Sequence, residues 1–183
     1  IALYWLIANF IALVFVTVGK ELFPDAKEGG AASATSGMML CVGAGLFLGS
    51  IVVSVLSRKK IQLRLIPLGA IGMVLGITGV LLFDPSNALF KPSIGGIGFF
   101  SSFLIIPLSA QLQDLAPEDE RGRIISASNL LNSVSGVIAI FVCNGLDSAG
   151  FDSTKQILVV LVVAVGVVLW TIGYWRSGAS TVS

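Results

Sequence analysis

The charges of this chain are gathered into short clusters, and the long stretches between them carry almost none. Six such stretches stand at about residues 1–19, 33–57, 62–83, 92–113, 124–146 and 155–175. Each is long enough to cross a hydrocarbon core, which takes about 20 helical residues. A strand would cross in about half that length and would alternate strictly, and no such alternation runs through these stretches. Inside lipid every backbone N–H and C=O needs a partner, and a helix supplies it within one segment. The expectation is an all-α integral membrane protein with six transmembrane helices. Composition agrees: 55% of the 183 residues are hydrophobic and 11% charged, against roughly 25% charged in soluble domains. A soluble bundle of this length would need a polar stripe on each helix, and the last stretch, with Ile157 to Val163 unbroken, has none.

The same composition narrows the function. A net charge of +1 gives nucleic acid no basic surface to recognise. The chain has no His, so it lacks the commonest zinc ligand and the commonest general base. Cys41 and Cys143 stand apart in apolar stretches and read as small buried hydrophobes. No metal, no cofactor and no catalytic residue is expected. The chain opens on Ile1 in an apolar run without a basic leader, so this segment reads as a fragment boundary at the start of a helix, not as a signal peptide.

The connections carry turn chemistry: Pro24 and Gly29-Gly30, a tight Arg58-Lys59-Lys60, Asp84-Pro85-Ser86-Asn87, Ala116-Pro117-Glu118-Asp119, and Asp147 to Gly150. The acids after Pro117 suit a helix start, and Ser153 or Asp152 is placed to cap the last helix. Six helices put both termini on one side. That side receives Arg58, Lys59, Lys60, Arg64, Arg121, Arg123 and Arg176, and the other Lys20, Lys27, Lys91 and Lys155. The basic excess assigns both termini to the cytoplasm. Tyr4 and Trp5, with Trp170, Tyr174 and Trp175, would form an aromatic belt at that interface.

Apolar side chains do not drive helices together in lipid, so small residues mark close contacts. Gly45-x-x-x-Gly49 and Gly72-x-x-x-Gly76 have that spacing, and Gly69 and Gly79 lengthen the second seam. Packing is the expected role, and such seams also let helices rock. Pro107 lies in mid-span and is the hinge candidate.

The fifth stretch is the most polar. Asn129, Asn132, Ser133 and Gly136 share one helical face by their spacing, and carboxamides facing lipid would be costly. Ser109, Gln111 and Gln113 at the end of the fourth span are expected to meet this face across the short loop, while Asn9 stands isolated in the first. Two readings stay open for these groups: interhelical hydrogen bonding, or the lining of a polar cavity. No charged residue lies centrally in any span, so no proton relay is visible.

Several segments carry a resemblance. Six helices, a Gly-rich second span and the stretch Gly49 to Lys60, which ends Leu56-Ser57-Arg58-Lys59-Lys60, resemble the C-terminal half of a major facilitator superfamily transporter. The loop lacks the acidic residue and the intervening glycine of the usual signature. Ile66-Pro67-Leu68-Gly69, Ile106-Pro107-Leu108-Ser109-Ala110-Gln111 and Pro117-Glu118-Asp119-Glu120-Arg121-Gly122-Arg123 are similar to the lysophospholipid transporter family. The resemblance implies that residues 1–183 form half of a twelve-helix fold whose partner is a missing N-terminal six-helix half. It implies alternating access in a bacterial inner membrane and a phospholipid-like substrate, lysophosphatidylethanolamine above all. Arg58, Lys59, Lys60, Arg121 and Arg123 would then latch the cytoplasmic face or attract headgroups, or else only set topology and touch lipid phosphates. Two other expectations compete: an exporter of drugs or small metabolites with the same fold, and the transporter domain of a protein fused to an acyltransferase.

Overall fold

The computed structural model describes residues 1–22, 30–58 and 62–178. Six α-helices follow one another: α1 (Ala2–Leu22), α2 (Gly30–Leu56), α3 (Leu65–Leu82), α4 (Phe90–Leu115), α5 (Arg121–Ser148) and α6 (Ser153–Gly178). All six are long and apolar enough to cross a membrane. Most run a few residues past the uncharged stretches, because end charges sit in the terminal turns. The third is shorter: Leu63 and Arg64 form a turn, and the helix begins at Leu65 rather than at residue 62.

Local chemistry ends these helices. Phe83 and Ala116 leave α3 and α4 in extended conformation, two steps before Pro85 and one step before Pro117, and the residue directly before a proline, here Ala116, is biased toward extended backbone. The α5 terminus is a Schellman motif. Gly150 takes φ +77°, its N–H bonds the Asp147 carbonyl at 3.0 Å, and the Phe151 N–H reaches back to Leu146 at 3.0 Å. Only glycine enters that left-handed conformation freely. Asp152 then accepts the Lys155 N–H at 3.0 Å, so of the two capping candidates Asp152 makes the N-cap bond.

The packing has an internal symmetry. Helix α4 packs on α2, α3 and α5, α1 packs on α5, α6 and α2, and α3 packs on α6. Exchanging α1–α3 with α4–α6 maps this set of pairs onto itself. A repeat of three helices plus three is the arrangement that half of many secondary transporters adopts.

Two glycine seams grip α4. A Cβ on Gly45 would lie 1.9 Å from the Gly95 carbonyl oxygen, and one on Gly98 would lie 2.0 Å from that of Val42. At this parallel α2–α4 contact the backbones touch directly. Ser102, fully buried, donates to the Leu46 carbonyl at 2.8 Å across it. On the other side α3 runs antiparallel. Gly69, Gly72, Gly76 and Gly79 meet in turn Phe103, Phe100, Ile97 and Ser93. Pro107 is buried within a continuous α4.

The core lies where α1, α3, α4 and α6 converge. Val14, Ile77, Ile94 and Val160 are each no more than 2% exposed. Helices α2 and α5 flank it, adding Met38 from α2 and Ala139 and Cys143 from α5. They leave large apolar side chains exposed, among them Phe47 (64%), Leu130 (65%) and Phe141 (73%).

Candidate functional site

Along α5 the small polar residues split between two sides. Asn132 faces α1, where the Asn9 amide donates to its carbonyl oxygen at 3.2 Å and to the Trp5 carbonyl at 2.8 Å. Gly136, one turn on, leaves room for the Asn9 carboxamide, which a Cβ there would meet at 3.7 Å. Asn9 is therefore not isolated: its partner lies 123 positions along the chain. The pair sits partly buried on the α1–α5 contact. Asn129 and Ser133 are exposed, and the Ser133 hydroxyl donates to the Asn129 carbonyl at 3.2 Å. Side-chain donors thus appear both inside the contact and on the open face of one helix.

The fourth-helix residues do not join that face. Gln111 instead lines a half-open cavity of about 450 Å³ between α1, α3, α4 and α6. Residues Leu104, Leu108 and Gln111 supply one side of it, Ile66, Ala70 and Met73 another. Ser109 is partly buried, and Gln113 is exposed. The expected meeting of Ser109 and Gln111 with the α5 face fails because α4 has only a slight contact with α5 and turns its C-terminal half toward α1 and α3.

Tyr4 requires a second correction. Its side chain is 9% exposed and lines the same cavity instead of standing at a lipid interface. Trp5 packs edge-on against it, with ring centroids 5.2 Å apart. Trp170 is 66% exposed and stands at the cavity rim. The side chains of Tyr174 and Trp175 lie outside the described residues.

The basic residues stand at the end of the bundle where α2 finishes and α5 begins. Arg58, Arg121 and Arg123 are exposed, and Arg123 pairs with Glu120 at 3.7 Å within one helical turn. Lys59 and Lys60 lie outside the described residues. Gly45, Gly49, Gly72 and Gly76 all serve helix contact, as the close approaches above demand.

The opposite end holds a polar junction that the spacing of residues did not announce. The Glu21 carboxylate, at the end of α1, accepts the Ser153 N–H at 3.0 Å and its hydroxyl as well. An acid here meets the unsatisfied donors at the start of α6. Gln156 is fully buried, yet both ends of its amide are used. Its nitrogen donates to Asp147 and to the Phe151 carbonyl at 3.2 Å, and its oxygen faces the Cys143 thiol at 3.6 Å. The signal was present only as a lone Gln at the start of an apolar run. Among the described residues no cluster of His, Cys, Asp or Glu is placed to hold a metal ion.

Six apolar helices, two related triplets and neutral polar groups on the helix contacts define a polytopic membrane protein built like a transporter half. The family profile described as Major Facilitator Superfamily matches residues 1–140. The chain belongs to that superfamily, whose members are secondary membrane transporters. No curated protein and no solved structure gives a significant match.

Proposed function

We propose that this chain is one six-helix half of a secondary transporter that moves a lysophospholipid, lysophosphatidylethanolamine or a close analogue, across a bacterial inner membrane. In this reading its partner is a second six-helix half, packed on the open faces of α2 and α5, and the termini face the cytoplasm. The observation that carries the reading is α5. It exposes Asn129 and Ser133 beside Leu130, Val134 and Val137, a mixture that suits neither plain lipid nor water. It suits a path for an amphiphile whose headgroup needs neutral hydrogen-bond donors and acceptors. The exposed Arg58, Arg121 and Arg123 would meet a phosphate at the cytoplasmic end. The Asn9–Asn132 pair would hold α1 and α5 at the edge of that path.

Uptake of labelled lysophosphatidylethanolamine into proteoliposomes containing the full-length protein tests this. The expected result is uptake above that of empty liposomes, reduced several-fold by Asn129→Leu. No uptake by correctly inserted protein refutes the substrate, and the assay repeated with cationic drugs and small metabolites then identifies an exporter. Uptake indifferent to Asn129 removes the α5 face from the path.

A further inference from the structure

Helices α1 and α6 meet in three different ways along their length. At one end they are bonded: the Glu21 carboxylate takes both donors of buried Ser153, its N–H at 3.0 Å and its hydroxyl. One turn into α6, the fully buried Gln156 spends its amide nitrogen on Asp147 and Phe151 and turns its oxygen to the Cys143 thiol. In the middle the contact is apolar and tight. Val14 and Val160 are at most 2% exposed and border a void of only about 10 Å³, barely room for one water. Further on, Tyr4 and Ile7 of α1 and Ala164 and Val167 of α6 line the half-open cavity.

The bonded end resists parting for a physical reason. Ser153 N–H is one of the donors that a helix start leaves without an intrahelical partner, and its bond to a carboxylate is of the stronger, charge-assisted kind. Withdrawing Glu21 would leave that buried donor unpaired, which costs more than an ordinary hydrogen bond contributes. The start of α6 is also tied to α5, through Gln156 and through the Phe151 N–H on Leu146, so it cannot follow a departing α1 freely. The internal symmetry supplies a comparison. Glu21-Leu22-Phe23-Pro24 at the end of α1 has a counterpart in Asp114-Leu115-Ala116-Pro117 at the end of α4, and α3 stands to α4 as α6 stands to α1. At that second place Asp114 is exposed and the start of α3 has no side-chain cap bond. The junction is therefore a property of one end of this bundle, not of the repeat.

We propose that this junction is a fixed pivot for α1 and α6: the end of α1 and the start of α6 stay bonded while the opposite ends of the two helices part and close as access changes. Apolar contacts such as Val14 on Val160 tolerate small sliding, so the middle permits a tilt that the bonded end centres. A gate at this end would instead have to unpair the Glu21 carboxylate and buried Ser153 in every cycle. Leu3 stands 18 positions from Glu21, roughly 27 Å along the helix, so a tilt of about 10° moves it about 5 Å and leaves Glu21 in place. The inference takes from the transporter reading only that these helices move; it assumes no substrate.

The test measures two distances by pulsed electron paramagnetic resonance on the full-length protein in lipid nanodiscs. Spin labels enter as a noncanonical amino acid, so both native cysteines stay. One pair replaces Lys20 and Lys155 beside the junction, and the other replaces Leu3 and Leu169 at the far end; all four side chains are exposed. The expected result is one narrow distance for Lys20 and Lys155 and a distribution at least twice as wide, or split in two, for Leu3 and Leu169. Glu21→Ala should widen the first distribution, and Glu21→Gln, which keeps an acceptor oxygen, should widen it less. Two distances at the junction pair overturn the proposal and make this end a gate. Equal widths at both ends overturn it as well, since α1 and α6 then move as one body. A junction distance indifferent to Glu21→Ala also overturns it, because the tie then lies elsewhere. Failure of lysolipid uptake would refute the substrate and leave these distances unchanged.

Discussion

Replacing Gly45 by alanine adds one methyl group where the backbones of α2 and α4 touch. The new carbon would stand 1.9 Å from the Gly95 carbonyl oxygen and 2.9 Å from the Phe99 nitrogen, and ordinary contact begins at 3.4 Å. The obstacle is backbone, so no rotamer relieves it, and the helices must part by about 1.5 Å. The Ser102 bond to Leu46, now 2.8 Å, would stretch beyond the ~3.2 Å limit of a good hydrogen bond. Overpacking costs roughly 1–3 kcal/mol. An interhelical hydrogen bond in a membrane adds about 0.6 kcal/mol and at most ~1.7, so the loss should reach roughly 2–4 kcal/mol. Gly43→Ala is the control. Its Cβ would meet nothing within 4 Å, so it should gain about 0.5–1 kcal/mol from reduced chain entropy. The assay is reversible unfolding of the full-length protein in mixed micelles with increasing SDS, comparing midpoints. Two variants within ~0.5 kcal/mol of each other, inside the usual scatter of surface substitutions, would refute a direct α2–α4 backbone contact.

Asn9→Leu and Asn132→Leu should each destabilise modestly. A double-mutant cycle on the same unfolding midpoints should return a coupling of about 0.6 kcal/mol, the average for such membrane pairs; a coupling of zero would mean that the two carboxamides act independently. Gln156→Leu leaves Asp147 without its amide donor, and it should cost about 1–3 kcal/mol as a buried network loses a member. Hydrogen exchange at the first turn of α6 should rise with it, and unchanged exchange would show that the junction does not hold that helix end. Glu120→Gln should change stability by no more than ~0.5 kcal/mol, because an exposed pair within one turn contributes little, and a larger midpoint shift would assign Arg123 a structural role.

The fold was readable because lipid imposes its rule one segment at a time. Uncharged length alone marks a span, and Gly45, Gly49, Gly72 and Gly76 announce contact by spacing within a single helix. What stayed hidden depends on register between helices. Asn9 and Asn132 meet across 123 positions, and neither residue's neighbours indicate the other. Tyr4 sits near a helix end, where an aromatic belt is the ordinary assignment, and only the cavity it shares with residues of α3, α4 and α6 shows that it turns inward. Gln156 and Glu21 do their work at a junction of three helix ends, which no periodicity within one helix describes. Gln111 faces the cavity because α4 is held by two glycine seams that fix its rotation, so its orientation follows from Gly45 and Gly72 on other helices.

The two triplets are alike in which helices touch, but not in how closely. In the contacts of α4, glycine brings backbones together: Gly45 and Gly98 toward α2, Gly69 and Gly72 toward α3. The matching contacts of α1 use side chains. On α5 they rest on the Asn9–Asn132 pair with Gly136 at 3.7 Å, and on α6 they leave room for the cavity that Tyr4 and Ala164 line. Backbone contact fixes a crossing, since any shift meets carbonyl oxygens, whereas contacts made through side chains tolerate small sliding. By this argument α2–α3–α4 is the stiff part and α1–α5–α6 the compliant part, against the expectation that the glycine seams themselves let helices rock. The exposed polar face of α5 belongs to the compliant part, and the cavity beside Gln111 lies between the two parts, lined by α1 and α6 on one side and α3 and α4 on the other. Rocking that changes access would reshape those two features first and leave the glycine seams intact.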